Sequence, residues 1–179
     1  VTSLSKSIRI QPDLETYYLL GLAYYYQGNL EMAVTQFQTV LDYSPGFVQA
    51  RVMLGEIFLR QGRGAEALAV ADKMLETSPE DFRAHALKGD ALLLLGKPQE
   101  SRELYGKASA LAPTHYGLLL KNGLMMLSLG DAAGEQVLQK ALEVSPQGLD
   151  ARLALHAFYL RNGRGEEAMS VLTEGLGGN

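Results

Sequence analysis

Gly62-x-Gly64-x2-Ala67 and Gly163-x-Gly165-x2-Ala168 both carry the glycine spacing of a dinucleotide-binding turn. That chemistry needs a β-strand ahead of the first glycine, so that the backbone meets a pyrophosphate where a helix begins. Here each copy follows a stretch with helical periodicity, and both recur at one phase of a longer pattern, so no nucleotide is expected. His85, His115 and His156 have no second His and no Cys at the spacing of a zinc motif. No Gly-x-Ser-x-Gly elbow or phosphate loop is present. Glu31, Glu66, Glu100, Glu135, Glu166 and Glu167 recur where helices should begin. Carboxylates there offset the positive end of the helix dipole, as Arg60 and Arg161 do for the negative end. No catalytic constellation emerges, so neither an enzyme nor a cofactor or metal site is expected.

Composition narrows the remaining classes. Hydrophobic residues make up 47% and charged residues 20%, the profile of a packed chain rather than a disordered one. A net charge of -4 and a pI near 5.4 argue against a nucleic-acid or anionic-membrane binder, which needs clustered Lys and Arg. No stretch approaches the roughly 18 uninterrupted apolar residues of a membrane helix. Apolar-rich runs are broken by Gly21, Lys121 and Gly123, so direct membrane insertion is not expected. With no cysteine there can be no disulfide framework. The chain opens on Val1 without the basic and apolar regions of a signal peptide, and is expected to be a segment of a longer protein.

The longer pattern is the dominant signal. Gly21, Gly55, Gly89 and Gly123 stand 34 residues apart, as do Gly28, Gly62, Gly96 and Gly130, and Pro45, Pro79 and Pro113. The first unit reads Tyr17-x2-Leu20-Gly21-x2-Tyr24, then Ala33-x3-Phe37, then Pro45. This period and these offsets resemble the tetratricopeptide repeat, with Tyr17 where the family usually has Trp. The resemblance implies an all-α, right-handed superhelical solenoid of about five helical hairpins, held together repeat to repeat without a central core. Repeats are expected at about 14–46, 47–80, 81–114, 115–147 and 148–179, with residues 1–12 as the tail of a truncated preceding helix. The last helix, carrying Val171, Leu172 and Leu176, lacks the polar outer face of a capping helix, so the native protein is expected to continue beyond it.

Local signals support the hairpins. Asn29 suits the cap of the second helix of repeat one. Pro98 suits a first helical position, where its missing N–H would be unpaired anyway. The turn glycines suit the positive φ just past a helix end. Gly at the eighth position of the first helix in repeats one to four, with Ala33, Ala67, Ser101, Gly134 and Ala168 early in the second helices, lets the two backbones approach. His156 breaks that rule, so the fifth pair must splay or its imidazole must slide out between helices. Gly130 and Gly163 are only 33 residues apart. The missing residue lies between Gly130 and Gly134, where it is expected to shorten a turn rather than a helix core.

In the family it resembles, first helices line the concave face. Carried onto this chain, the fifth, ninth and twelfth positions are Tyr18, Leu22 and Tyr25 in repeat one, then Val52, Glu56 and Leu59, then Ala86, Asp90 and Leu93. Leu120, Leu124 and Leu127 follow in repeat four, and Leu153, Ala157 and Leu160 in repeat five. The resemblance thus implies an apolar groove for a peptide or helix of a partner protein, with Glu56 and Asp90 as an acidic patch suited to a Lys or Arg of the ligand. The Lys and Asn clamp that family members use for acidic chaperone tails is absent from the fifth and ninth positions. The first helix, Tyr17-Tyr18-Leu19-Leu20 to Tyr24-Tyr25-Tyr26, is apolar around nearly its whole girth, which calls for a cover beyond its neighbours. A partner helix, preceding repeats or a second copy of the chain would each supply one. The alternative to peptide binding is a structural spacer or self-associating segment of a longer scaffold. The Leu, Ala and Gly richness resembles bacterial arrays, some tied to the envelope or to exopolysaccharide export.

Overall fold

The computed structural model describes residues 13–174. The expected helix tail at 1–12 and Leu176 lie outside the described residues. Ten helices and no strand are found among those described: α1 Leu14–Tyr26, α2 Leu30–Tyr43, α3 Val48–Arg60, α4 Gly64–Thr77, α5 Phe82–Leu94, α6 Pro98–Leu111, α7 Tyr116–Ser128, α8 Gly134–Val144, α9 Leu149–Arg161 and α10 Gly165–Thr173. Each odd helix packs against the even helix that follows, and each even helix against the next odd one. α3 also touches α5, and α7 touches α9, whereas no two even helices approach as closely. The stack therefore curves toward its odd helices, which form the inner face.

The hairpin turns follow from local chemistry. Gly28, Gly62, Gly96, Gly130 and Gly163 all have φ between 72° and 78°, a conformation open to glycine and strained for other residues. The Asn29 side chain accepts from the Met32 backbone N–H at 3.3 Å, and Pro98 opens α6. Both Gly-x-Gly-x2-Ala copies sit in helix-to-helix turns, with no strand to aim a phosphate at them.

Packing is local, as a solenoid requires. One buried cluster centres on Phe37, Val40 and Ile57, a second on Ala71, Met74 and Leu87, and a third on Leu138 and Leu155. Burying a side chain of this size contributes about 1.5–3 kcal/mol. The eighth-position glycines make room for specific neighbours. A Cβ on Gly21 would meet the Phe37 ring at 2.7 Å, and one on Gly123 would meet Leu138 at 2.7 Å. In repeat two the counterpart of Phe37 is the small Ala71, and Leu87 from α5 fills the space over Gly55 instead.

His156 is accommodated by a hydrogen bond. Its Nδ1 lies 2.8 Å from the Ala168 carbonyl of α10, so the ring spans the hairpin instead of leaving it. The missing residue of repeat four falls between Gly130 and Gly134, where the hydrogen bonds tighten. In the other hairpins the small residue of the second helix donates its N–H four residues back, as Ala67 does to Arg63 at 3.1 Å. Gly134 donates only three residues back, to Asp131 at 3.1 Å, and α8 has 11 residues where α2 has 14. The loss is absorbed by tightening the first turn of the helix, not by trimming the linker.

Candidate functional site

Tyr18 rests between two rings of its own hairpin and the next, 5.6 Å from Phe37 and 5.3 Å from Phe47. Burial pushes its hydroxyl above the ordinary tyrosine value, with the charges of Tyr26 and Glu56 adding to the effect. Tyr25 lies edge-on to Tyr26 at 5.5 Å and carries the Arg60 guanidinium 4.7 Å above its ring. Leu22, Val52 and Leu59 are half-buried against the cores beneath them. Tyr26 is 81% exposed and Leu19, seven residues back on the same face of α1, is exposed with Leu20 beside it, so the apolar girth of the helix exceeds what its described neighbours cover.

The acidic patch differs from the sequence expectation. Asp90 is not available to a ligand cation, because Lys121 Nζ lies 2.7 Å from both carboxylate oxygens and the Tyr105 hydroxyl donates to Oδ1 at 2.6 Å. Lys121 sits one repeat along, on α7, and reaches back to α5, so the chain supplies its own counter-ion. Glu56 makes no ion pair among the described residues. Loss of water around its carboxyl pushes it above the ordinary glutamate value; Lys121 opposes that shift and Asp90 adds to it. Among the described residues one acid of the two, Glu56, is left unpaired.

Toward the other end the inner face becomes aliphatic. Leu93 is 45% exposed and Leu124 43%, and Leu153 and Leu160 continue the exposed row on α9. Leu120 and Leu127 are half-buried against the α8 and α9 cluster. Between α7 and α9 the row opens into a cavity of about 450 Å³, lined by Leu124, Leu127, Ala154, Ala157, Phe158 and Arg161 among others. The inner face therefore passes from aromatic, with one carboxylate unpaired among the described residues, to leucine-rich, with a cavity between α7 and α9.

A set of polar residues escaped the sequence reading because it occupies the family's Trp position. Arg152 donates to the Pro146 carbonyl at 2.5 Å and to the Val171 carbonyl at 2.7 Å. His85 Nε2 lies 2.8 Å from the Pro79 carbonyl, and Arg51 donates to that of Pro45. In three hairpins a polar side chain of the first helix thus satisfies the carbonyl that closes the preceding repeat. The period-matched spacing of Arg51, His85 and Arg152 was the available signal.

Among the described residues no group of three or more His, Asp or Glu is placed to hold a metal, and no helix is long and apolar enough to cross a membrane. What the inner face offers is contact area. No curated protein sequence matches the chain. Solved structures resemble it throughout. A crystal structure of MamA is 20% identical with a TM-score of 0.73, over 87% of this chain and 92% of that one. TTC0263, a thermophilic TPR protein in Thermus thermophilus, is 23% identical with a TM-score of 0.73, over 91% and 90%. MamA 41-end from Desulfovibrio magneticus RS-1 is 26% identical with a TM-score of 0.65, over 78% and 80%. The tetratricopeptide repeat family model matches residues 18–82 and 72–116. Period, hairpin geometry and a family match over more than half of its length agree: this chain is a scaffold for protein–protein interaction and belongs to the tetratricopeptide repeat family.

Proposed function

We propose that the chain is a non-enzymatic module whose inner groove holds an apolar segment of a partner protein. The observation that carries this reading is the row of solvent-exposed leucines, Leu93, Leu124, Leu153 and Leu160, on three successive odd helices that already satisfy their own cores with other residues. An exposed apolar row of this kind is stabilised by a ligand that covers it, and a helix or extended segment has the matching linear shape. The aromatic end, Tyr18, Leu22, Tyr25, Val52 and Leu59, extends the same surface. Glu56 favours a segment bearing one Lys or Arg at that end, since its carboxylate has no ion-pair partner among the described residues. Asp90, held by Lys121 and Tyr105, shapes the groove wall without offering charge.

The test is capture of partners from the native lysate by the immobilised chain and by Leu124→Asp, which sets an unpaired charge in the leucine row. Circular dichroism verifies that the variant remains helical. The expected outcome is a protein enriched by the unaltered chain and lost with the variant. Equal capture by both forms, or none by either, rejects the groove and leaves a spacer within a longer array as the better reading.

A further inference from the structure

The cavity between α7 and α9 has a cause that can be read position by position. Ala154 stands where repeats two, three and four carry Met53, Leu87 and Lys121, and Ala157 stands where they carry Glu56, Asp90 and Leu124. Two adjacent inner positions that are filled elsewhere along the stack are thus both truncated in repeat five. The space left open is about 450 Å³, within the range of ordinary ligand pockets. Its walls are Leu124, Leu127, Ala154, Ala157 and Phe158, so its interior suits an apolar group.

The rim carries one charge without a counter-ion among the described residues. Arg161, in the last turn of α9, lines the opening and makes no ion pair among the described residues. Asp131, across the cavity, is held by Arg102 and accepts the Ala133 N–H at 3.0 Å, so it does not neutralise Arg161. Asn162 turns its amide back onto the Phe158 carbonyl at 2.7 Å. The opening therefore presents one unpaired guanidinium beside an apolar pit.

We propose that this cavity is the anchor pocket of the groove, taking a Leu, Met or Phe side chain of the bound segment, with Arg161 pairing an Asp or Glu next to it in that segment. The assignment rests on the groove reading above and adds to it both a location and a ligand chemistry. A buried apolar anchor ringed by a charge-assisted contact is the arrangement in which a few residues dominate binding.

The test uses a displayed library of random dodecapeptides selected on the unaltered chain, followed by affinity measurement of synthesised hits by fluorescence anisotropy. Hits should share a Leu, Met or Phe adjacent to Asp or Glu. Ala157→Leu, which restores the residue that repeat four carries at the same position, should weaken them about tenfold or more. Ala154→Met, matching repeat two, should do the same and guards against a folding defect in either variant. Arg161→Glu should shift selection toward a Lys or Arg neighbour. Leu93→Asp probes the groove outside the cavity. Hits that are lost with Leu93→Asp but bind both filled variants unchanged overturn the anchor while sparing the groove. Hits lacking the acidic neighbour overturn the role of Arg161. Failure to select any peptide, or equal binding by all variants, overturns both.

Discussion

Lys121 reaches from α7 to Asp90 on α5 and grips both oxygens of its carboxylate at 2.7 Å. The same carboxylate accepts the hydroxyl of Tyr105 from α6, so one acid ties three helices of two repeats together at the groove wall.

Tyr105 should therefore resist ionisation. Burial pushes its hydroxyl well above the ordinary tyrosine value of 10.0, and the Asp90 charge and hydrogen bond push it further. A folded-state value raised above the unfolded one gives stability that is complete below about pH 10 and is lost as the pH rises beyond it. In an alkaline absorbance titration one tyrosine should stay protonated until the chain unfolds. Asp90→Asn removes the carboxylate charge while leaving an amide oxygen that can still accept the hydroxyl, so the tyrosine should ionise earlier. A titration curve unchanged by Asp90→Asn would show that the contact does not govern Tyr105.

Two glycine-to-alanine substitutions should move stability in opposite directions. Gly106 lies inside α6 with nothing within 4 Å of an added Cβ, so Gly106→Ala should stabilise by about 0.5–1 kcal/mol through reduced backbone entropy of the unfolded chain. At Gly134 an added Cβ would lie 2.7 Å from the Gly123 carbonyl oxygen, part of a backbone that cannot swing aside. Gly134→Ala should cost about 1–3 kcal/mol, the range for overpacking. Urea denaturation of both variants beside the unaltered chain reads the two signs. A neutral Gly134→Ala would contradict the close approach of α7 and α8, and a destabilised Gly106→Ala would contradict the open space around Gly106.

Acid should loosen the last two repeats first. Glu135 accepts from Arg164 at 2.8 Å and from the Tyr159 hydroxyl at 3.0 Å, and the Arg164 hydrogen bond is the main cause holding its carboxyl below the ordinary glutamate value of 4.5. Glu167 is lowered chiefly by the same guanidinium. Folded-state values depressed in this way give stability that is present above about pH 4.5 and falls away as these carboxylates protonate. Thermal unfolding at about pH 7 and about pH 3 should show a smaller acid loss for Arg164→Met than for the unaltered chain. Equal losses would mean that the network adds nothing under these conditions, as is common for exposed pairs.

The helices were legible because each of their signals is local. A 34-residue glycine rhythm, Asn29 before a helical run and Pro98 at a helix start act within a few residues of chain, and the structure places them in turns, a cap and a first turn as read. The groove wall was less legible because its partners are distant in the chain. The bond between Asp90 and Lys121 joins the ninth position of one repeat to the sixth of the next, a relation set by how two helices lie side by side. The pocket was hidden for a different reason. Ala154 and Ala157 are unremarkable alone and become informative only when compared with the larger residues that earlier repeats place at the same two positions. The carbonyl contacts of Arg51, His85 and Arg152 were masked because the family pattern places an aromatic there, which only Tyr17 supplies.

The tightened first turn of α8 shows how such a stack tolerates an editing event in its gene. One codon's worth of chain is gone between Gly130 and Gly134, yet α9 still sets Ala151 under the Tyr116 hydroxyl at 3.3 Å and packs on α7. In a protein with one central core, the same loss would throw every later helix face out of phase with its partners. Here the disturbance ends within a single turn, because each hairpin takes its bearings only from its immediate neighbours. Small deletions at this joint are thus a route by which neighbouring units can drift apart in shape while the array as a whole remains foldable.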